Sequence, residues 1–210
     1  GDWGRIRSCV SCNECLDVAT VRERTVRCLV NPRAGRHSEI EAPPSATVAK
    51  KVIVVGGGCV GLQAAITAAE RGHSVHLYEK RPYLGGKWLV SYAPPGREPL
   101  RSFLVWLVGE AKRAGVVFHL DTEATPDLLK AESADEVIVT IGAVPEMPDI
   151  PGIDQPHVFT GEQVLMGEAD LGKNVVVVGA GGAGVEVAHY IATRHEINGD
   201  LRTQLEAYGG

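Results

Sequence analysis

Residues 51–61 read Lys51-Val52-Ile53-Val54-Val55-Gly56-Gly57-Gly58-Cys59-Val60-Gly61. The β-branched run, Lys50–Val55, has the composition of a buried strand, and the glycines that end it give way to Leu62, Ala65, Ile66 and Ala69 at helical spacing. Strand, glycine turn and helix together make a cradle for a dinucleotide phosphate. Gly56 permits the tight turn, Gly58 lets backbone amides approach a pyrophosphate, and Gly61 lets the helix pack close to the sheet. Phosphates would sit at the helix N-terminus, where free N–H groups and the dipole favour anions.

The chain continues in the same rhythm. Arg71-Gly72 stops the helix, Ser74–Glu79 is a second strand, and Glu79 ends it 18 residues beyond Gly61. A carboxylate there can accept both ribose hydroxyls. Residues 80–97 read as a long Gly/Pro loop, after which Leu100, Phe103, Leu104, Leu107, Val108 and Ala111 keep helical spacing up to Gly115. Val116–Leu120 and Glu136–Thr140 are short strands, the latter closed by a turn, Thr140-Ile141-Gly142-Ala143. A proline-rich stretch leads to a further strand-like run, Asn174–Val178, and a second glycine cluster, Gly179-Ala180-Gly181-Gly182-Ala183-Gly184, with a helix expected over Val185–Thr193. Strands alternating with helices predict an α/β, doubly wound parallel (Rossmann-like) fold. Two fingerprints imply two nucleotides, but no second strand or ribose-binding acid follows Gly184 before residue 210, so NADH and NADPH are not distinguished.

Upstream, four cysteines stand as Cys9-x2-Cys12-x2-Cys15-x12-Cys28. Three thiolates spaced by two residues can wrap one face of a cubane cluster while a distant fourth closes it. Tetrahedral zinc more often uses two separated C-x2-C pairs, so the three-plus-one pattern favours [4Fe–4S] over zinc. Cys59, inside the glycine loop, has no partner left over and reads as a small residue at a helix start. The histidines show no ligand spacing, and Trp3, Trp88 and Trp106 read as packing residues.

The 210 residues divide into a cluster-binding segment (1–35), a polar, proline-bearing linker (36–48), an FAD- or ADP-binding domain (49–172) and the start of an NAD(P)-binding domain (173–210). A net charge of −5, without a Lys/Arg block, argues against nucleic acid as a partner. No apolar run reaches the ~18 residues of a membrane span, and the N-terminus has no apolar signal region. Few, clustered cysteines fit a cytoplasmic redox protein better than a secreted disulfide framework. The absence of an initiator Met is consistent with an excerpt of a longer polypeptide, a processed piece or a split-gene subunit.

On these residues the chain resembles the C-terminal part of the trimethylamine dehydrogenase / 2,4-dienoyl-CoA reductase family. The matching segments are Ile6-Arg7-Ser8-Cys9-Val10-Ser11-Cys12-Asn13, Cys28-Leu29-Val30-Asn31-Pro32-Arg33-Ala34-Gly35, both glycine loops, Leu84-Gly85-Gly86 and Pro94-Pro95-Gly96-Arg97. Asn31-Pro32-Arg33-Ala34 is the most specific of them, since a generic flavoprotein has no need of it. The likeness implies Cys9, Cys12, Cys15 and Cys28 as ligands of a 4Fe-4S cluster. It further implies FAD contacts at Val60, Glu79, Lys87, Arg97 and Ala124, beside Gly56, Gly58, Gly61 and the Gly142 turn, with NAD(P)H at Gly179, Gly181 and Gly184. An FMN-containing barrel, on this polypeptide or another subunit, is the implied partner, within a homo-oligomeric parent enzyme. Electrons would pass between NAD(P)H, FAD, the cluster and FMN in the reductase branch, and from the barrel outward in the amine-dehydrogenase branch. Two other readings stand beside this one: a structural module carrying ADP in place of FAD, and an accessory reductase subunit like the glutamate synthase small subunit, whose cysteine pattern differs.

Overall fold

The computed structural model describes residues 3–36 and 44–193. The middle of the expected linker (37–43) and the end of the expected NAD(P)-binding segment (194–210) lie outside the described residues. A 3-10 turn (Trp3–Arg5), one turn of helix α1 (Glu14–Leu16) and a π-type turn (Asp17–Val21) are the regular structure of the cysteine-bearing segment. Then come β1 (Lys51–Val55), α2 (Cys59–Glu70), β2 (Ser74–Tyr78), α3 (Lys87–Tyr92), α4 (Glu98–Arg113), β3 (Val117–His119), α5 (Pro126–Ala131), β4 (Glu136–Val139), α6 (Gly161–Leu165) and α7 (Gly182–Thr193).

The four strands form one parallel sheet in the order β3-β2-β1-β4. β1 pairs with β2 on one side and with β4 on the other. The chain runs from β1 to β2 and β3 on one side and crosses back from β3 to β4 on the other. The crevice outside the C-terminal end of β1 is where such sheets bind ligands. Gly56 opens that crevice, immediately after Val55.

Local chemistry explains the elements. Val52, Ile53 and Val54 are buried on both faces of the sheet, as a central parallel strand requires. Helix α2 starts from Gly58 in an extended conformation and ends on Gly72, whose φ of 90° terminates it, with Gly72 N–H and His73 N–H returning to the carbonyls of Ala69 and Ala68. The stripe of α4, Leu100, Phe103, Leu104, Leu107, Val108 and Ala111, is buried against Leu62, Ala65 and Ile66 of α2 and the valines of the sheet. A fully buried side chain such as Leu107 contributes about 2 kcal/mol by leaving water. Val10 and Val30 of the cysteine-bearing segment join this same core, so the segment is packed onto the nucleotide domain.

Two expectations are corrected. The loop over residues 80–97 contains helix α3, which buries Leu89 and Tyr92 on α4. Asn174–Val178 does not form a strand: the run finds no ladder partner among the described residues, and Val176 and Val178 are 88% and 78% exposed. A strand exists only through its neighbours' N–H and C=O groups, and no described segment pairs with this run. The helix after it does form, as α7, and it packs with α6 through Val164, Leu165 and Val187 in a small separate cluster.

Candidate functional site

The first glycine loop is held by the elements around it. The Gly56 N–H donates to Tyr78 O at 2.8 Å, and the Thr140 hydroxyl donates to Val55 O and Gly56 O at 2.8 and 3.0 Å. Gly56 has φ 104°, which an L side chain rarely adopts. A Cβ on Gly61 would collide with Gly56 O and stand 2.7 Å from Thr140 Oγ1. The loop thus sits between β1, β2 and the end of β4, and the turn expected at Thr140–Gly142 fastens it.

Glu79 is 8% exposed and faces this loop. One carboxylate oxygen accepts from Gly57 N–H at 2.7 Å and the other from Arg81 N–H at 2.9 Å. Each oxygen keeps a further lone pair, so the fixed carboxylate can still accept hydroxyl protons. The Gly85 N–H donates to Gly57 O at 2.8 Å and Gly58 bridges Gly85, which lays the Leu84-Gly85-Gly86 turn along the glycine loop. Lys87 begins α3 beyond that turn. Ala124 lies in the β3–α5 connection, two residues after Thr122, whose N–H donates to Glu79 O at 3.0 Å. Val60, at the first turn of α2, is 71% exposed. Gly56, Gly58, Val60, Gly61 and Glu79 therefore come together, with Lys87, Ala124 and Gly142 on the flanking loops.

Arg97 takes a carboxylate partner. Its guanidinium pairs with Glu186 on α7. Lys87 pairs with Glu162 of α6 at 3.4 Å, and Arg81 reaches the same carboxylate at 3.6 Å. No local sequence signal marks Glu162 or Glu186 as partners. The Thr160/Gln163 capping box does mark the start of α6. On the second loop, Gly179, Gly181 and Gly184 stand at the entry to α7, and the Val185 N–H donates to Gly181 O at 3.1 Å.

The four clustered cysteines are free thiols, with Cys9, Cys12 and Cys15 exposed and Cys28 half-buried. Left-handed backbone at Ser11 (φ 55°) and Asn13 (φ 58°) turns the chain between successive thiols, and the Ser11 N–H donates to Cys9 Sγ at 3.4 Å. Among the described residues no three His, Cys, Asp or Glu side chains stand close enough to hold one metal ion. A tetrahedral zinc site would require such a set. A cubane binds one thiolate per iron, and four free thiols are donors of that kind. Cys59 is half-buried at the start of α2, and desolvation pushes its thiol up to about 12, which leaves it inert as a nucleophile. No helix among the described residues is long and apolar enough to cross a membrane.

Residues 50–198 match the pyridine nucleotide-disulphide oxidoreductase family. The chain belongs to that family. It is 42% identical over 199 residues to an NADH oxidase of Thermoanaerobacter brockii, a match covering 92% of this chain and 31% of that protein. It is 32% identical over 201 residues to an N,N-dimethylglycine/sarcosine dehydrogenase of Chromohalobacter salexigens, covering 90% of this chain and 29% of that protein. Among solved structures, a 2-naphthoyl-CoA reductase superimposes with a TM-score of 0.85 at 31% identity, over 91% of this chain and 29% of that one. Reductases and amine dehydrogenases are thus both among its homologues, as the resemblance implied. The chain spans less than a third of the length of each of these relatives.

Proposed function

We infer that this chain is the electron-transfer portion of a flavin/iron–sulfur oxidoreductase, joined in the working enzyme to an FMN-bearing barrel. The observation that carries this reading is that the likeness to the 2-naphthoyl-CoA reductase runs over 91% of the chain, too much for the nucleotide domain alone. FAD would be held by Gly56, Gly58, Val60, Gly61 and Glu79, with Lys87, Arg97, Ala124 and Gly142 beside it. NAD(P)H would use Gly179, Gly181 and Gly184, and Cys9, Cys12, Cys15 and Cys28 would ligate a 4Fe-4S cluster. When bound, these groups supply hydride acceptance and one-electron transfer, which no side chain of the site can perform. The protein's own work is placement. Gly61 brings the N-terminus of α2 against the loop, and the backbone fixes Glu79 before any ribose arrives.

One observation favours ADP as the resident nucleotide. The glycine loop and Glu79, which suffice for ADP, are formed, whereas Lys87 and Arg97 are engaged by Glu162 and Glu186. Extracting the bound nucleotide by denaturation and chromatography separates FAD from ADP. An anaerobic absorption spectrum tests the wider reading: flavin bands over a broad iron–sulfur shoulder, bleached by NADH, are the expected result. A spectrum lacking both carriers in the intact parent protein would overturn it.

A further inference from the structure

The Asn31-Pro32-Arg33-Ala34-Gly35 run contains no thiol and lies outside both glycine loops, yet it makes contacts in two directions. The Arg7 Nη1 donates to Val30 O at 3.1 Å and to Asn31 Oδ1 at 3.0 Å. Arg7 stands two residues before Cys9, and Val30 two residues after Cys28. These bonds therefore join the limb carrying the first three cysteines to the limb carrying the fourth. Asn31 Oδ1 also accepts from the Arg33 N–H at 3.1 Å, and the Ala34 N–H donates to Asn31 O at 3.2 Å, so the acceptor is fixed by its own turn. Gly35 has φ 72°, and a Cβ there would collide with Val26 O, which ties the turn to the chain that precedes it.

The same residues face the nucleotide domain. The Arg7 guanidinium lies over the Trp106 ring, 4.0 Å from its centroid, and Trp106 Nε1 donates to Arg5 O at 3.1 Å. Arg33 approaches Glu70 of α2 at 3.7 Å. Arg7, Asn31, Arg33, Glu70 and Trp106, with Gln63, line a cavity of about 310 Å³ between the segment and helices α2 and α4.

We propose that Arg7, Asn31 and Trp106 form a positioning joint that closes the twelve-residue loop between Cys15 and Cys28 and docks the closed loop on α4. As a ligand-positioning device this rests on the cluster reading above, whereas the docking itself does not. Arg7 suits the place because a planar guanidinium can donate two hydrogen bonds from one nitrogen while its face stays on an indole. A lysine ammonium has no such plane. The joint accounts for the N-P-R-A-G run, which presents an acceptor to Arg7 and a cation to α2.

The test compares Arg7→Gln, Asn31→Ala, their double variant and Arg7→Lys in the full-length protein. Trypsin cleavage at the exposed Arg22, Arg24 and Arg27 reports opening of the loop. Cleavage is expected to quicken about tenfold in Arg7→Gln, with the double variant no faster than the faster single one. Arg7→Lys should fail to restore the wild-type rate. Loss of iron to a chelator should quicken by about tenfold as well, with an altered EPR line shape for the reduced cluster. Unchanged cleavage in Arg7→Gln, or effects that multiply in the double variant, would overturn the joint. Wild-type protein without iron would overturn the cluster reading instead, while the cleavage rates still decide the joint.

Discussion

The two glycine loops have nearly the same turn and very different surroundings. Gly56 and Gly179 have φ of 104° and 110°, and a Cβ on Gly61 or Gly184 would strike the carbonyl of Gly56 or Gly179 respectively. Around the first loop, β1 is paired on both sides and buried, and Thr140 closes the turn from β4. Before the second, the valines of 175–178 are exposed in part or almost entirely and unpaired among the described residues. A strand–turn–helix unit is thus local in its turn and helix and non-local in its strand. Glycine positions and helical periodicity encode the first two; only a neighbouring backbone can supply the third.

The largest expected effect comes from exchanging the two loops' fates with one methyl group each. Gly61→Ala drives a Cβ into Gly56 O and toward Thr140, where β1 and β4 prevent retreat. We expect it to cost about 3 kcal/mol and to abolish nucleotide retention, read by thermal melting and by extraction of bound nucleotide. Gly184→Ala makes the corresponding collision with Gly179 O, but the unpaired run before it is free to shift. Its melting temperature should stay near wild type. Equal losses in the two variants would show that the run before the second loop is as firmly held as β1, and the contrast would fall.

A smaller effect separates holding the loop from holding its ligand. Glu79→Gln keeps one carbonyl acceptor but turns an amide NH2 toward either the Gly57 or the Arg81 N–H. One backbone donor is then left facing another donor, at a cost of about 1–3 kcal/mol. Nucleotide affinity should fall by about tenfold or more, a 1.4 kcal/mol change, because the side chain can no longer hold Gly57 and Arg81 together. The second loop offers no described counterpart to Glu79. Wild-type affinity in Glu79→Gln would mean that the turn alone, which both loops share, carries binding.

The same division explains what the sequence made legible. Lys50–Val55, the glycine spacing, Glu79 and the stripe of α4 were readable because each depends on periodicity or on a φ that few residues allow. Helix α3 was not, since its six residues, Lys87–Tyr92, give too short a window for a period to emerge. Nor did any spacing show that Glu162 and Glu186 would take up Lys87 and Arg97, since those pairs join residues 75 and 89 positions apart. The N-P-R-A run stood out by resemblance, but its contacts with Arg7 depend on the tertiary path of the chain. Trp106, expected only to pack, also donates from its indole nitrogen.

The smallest effect concerns a pair of histidines found only in the paired sheet. His76 on β2 and His119 on β3 meet at 3.0 Å between Nδ1 and Nε2, and His119 stacks on Tyr78, 4.2 Å between centroids. Desolvation first, then the positive charges of His119 and Lys51, hold the His76 imidazolium below its ordinary range; Glu132, which also bonds Tyr78 and Lys51, opposes them. The unfolded chain therefore binds a proton that the folded chain resists. The contribution is fully present above the unfolded value of about 6.5 and is lost as pH falls through the folded value. Melting temperature should drop between pH 7 and pH 5 in the wild type, and drop less steeply in His76→Gln. His76 is only half-buried, so water screens the effect and its size should stay well below that of Gly61→Ala. Parallel melting curves for the two proteins across that range would remove the histidine pair from the account of why the first sheet holds, leaving its stability to the valines and the glycine turn alone.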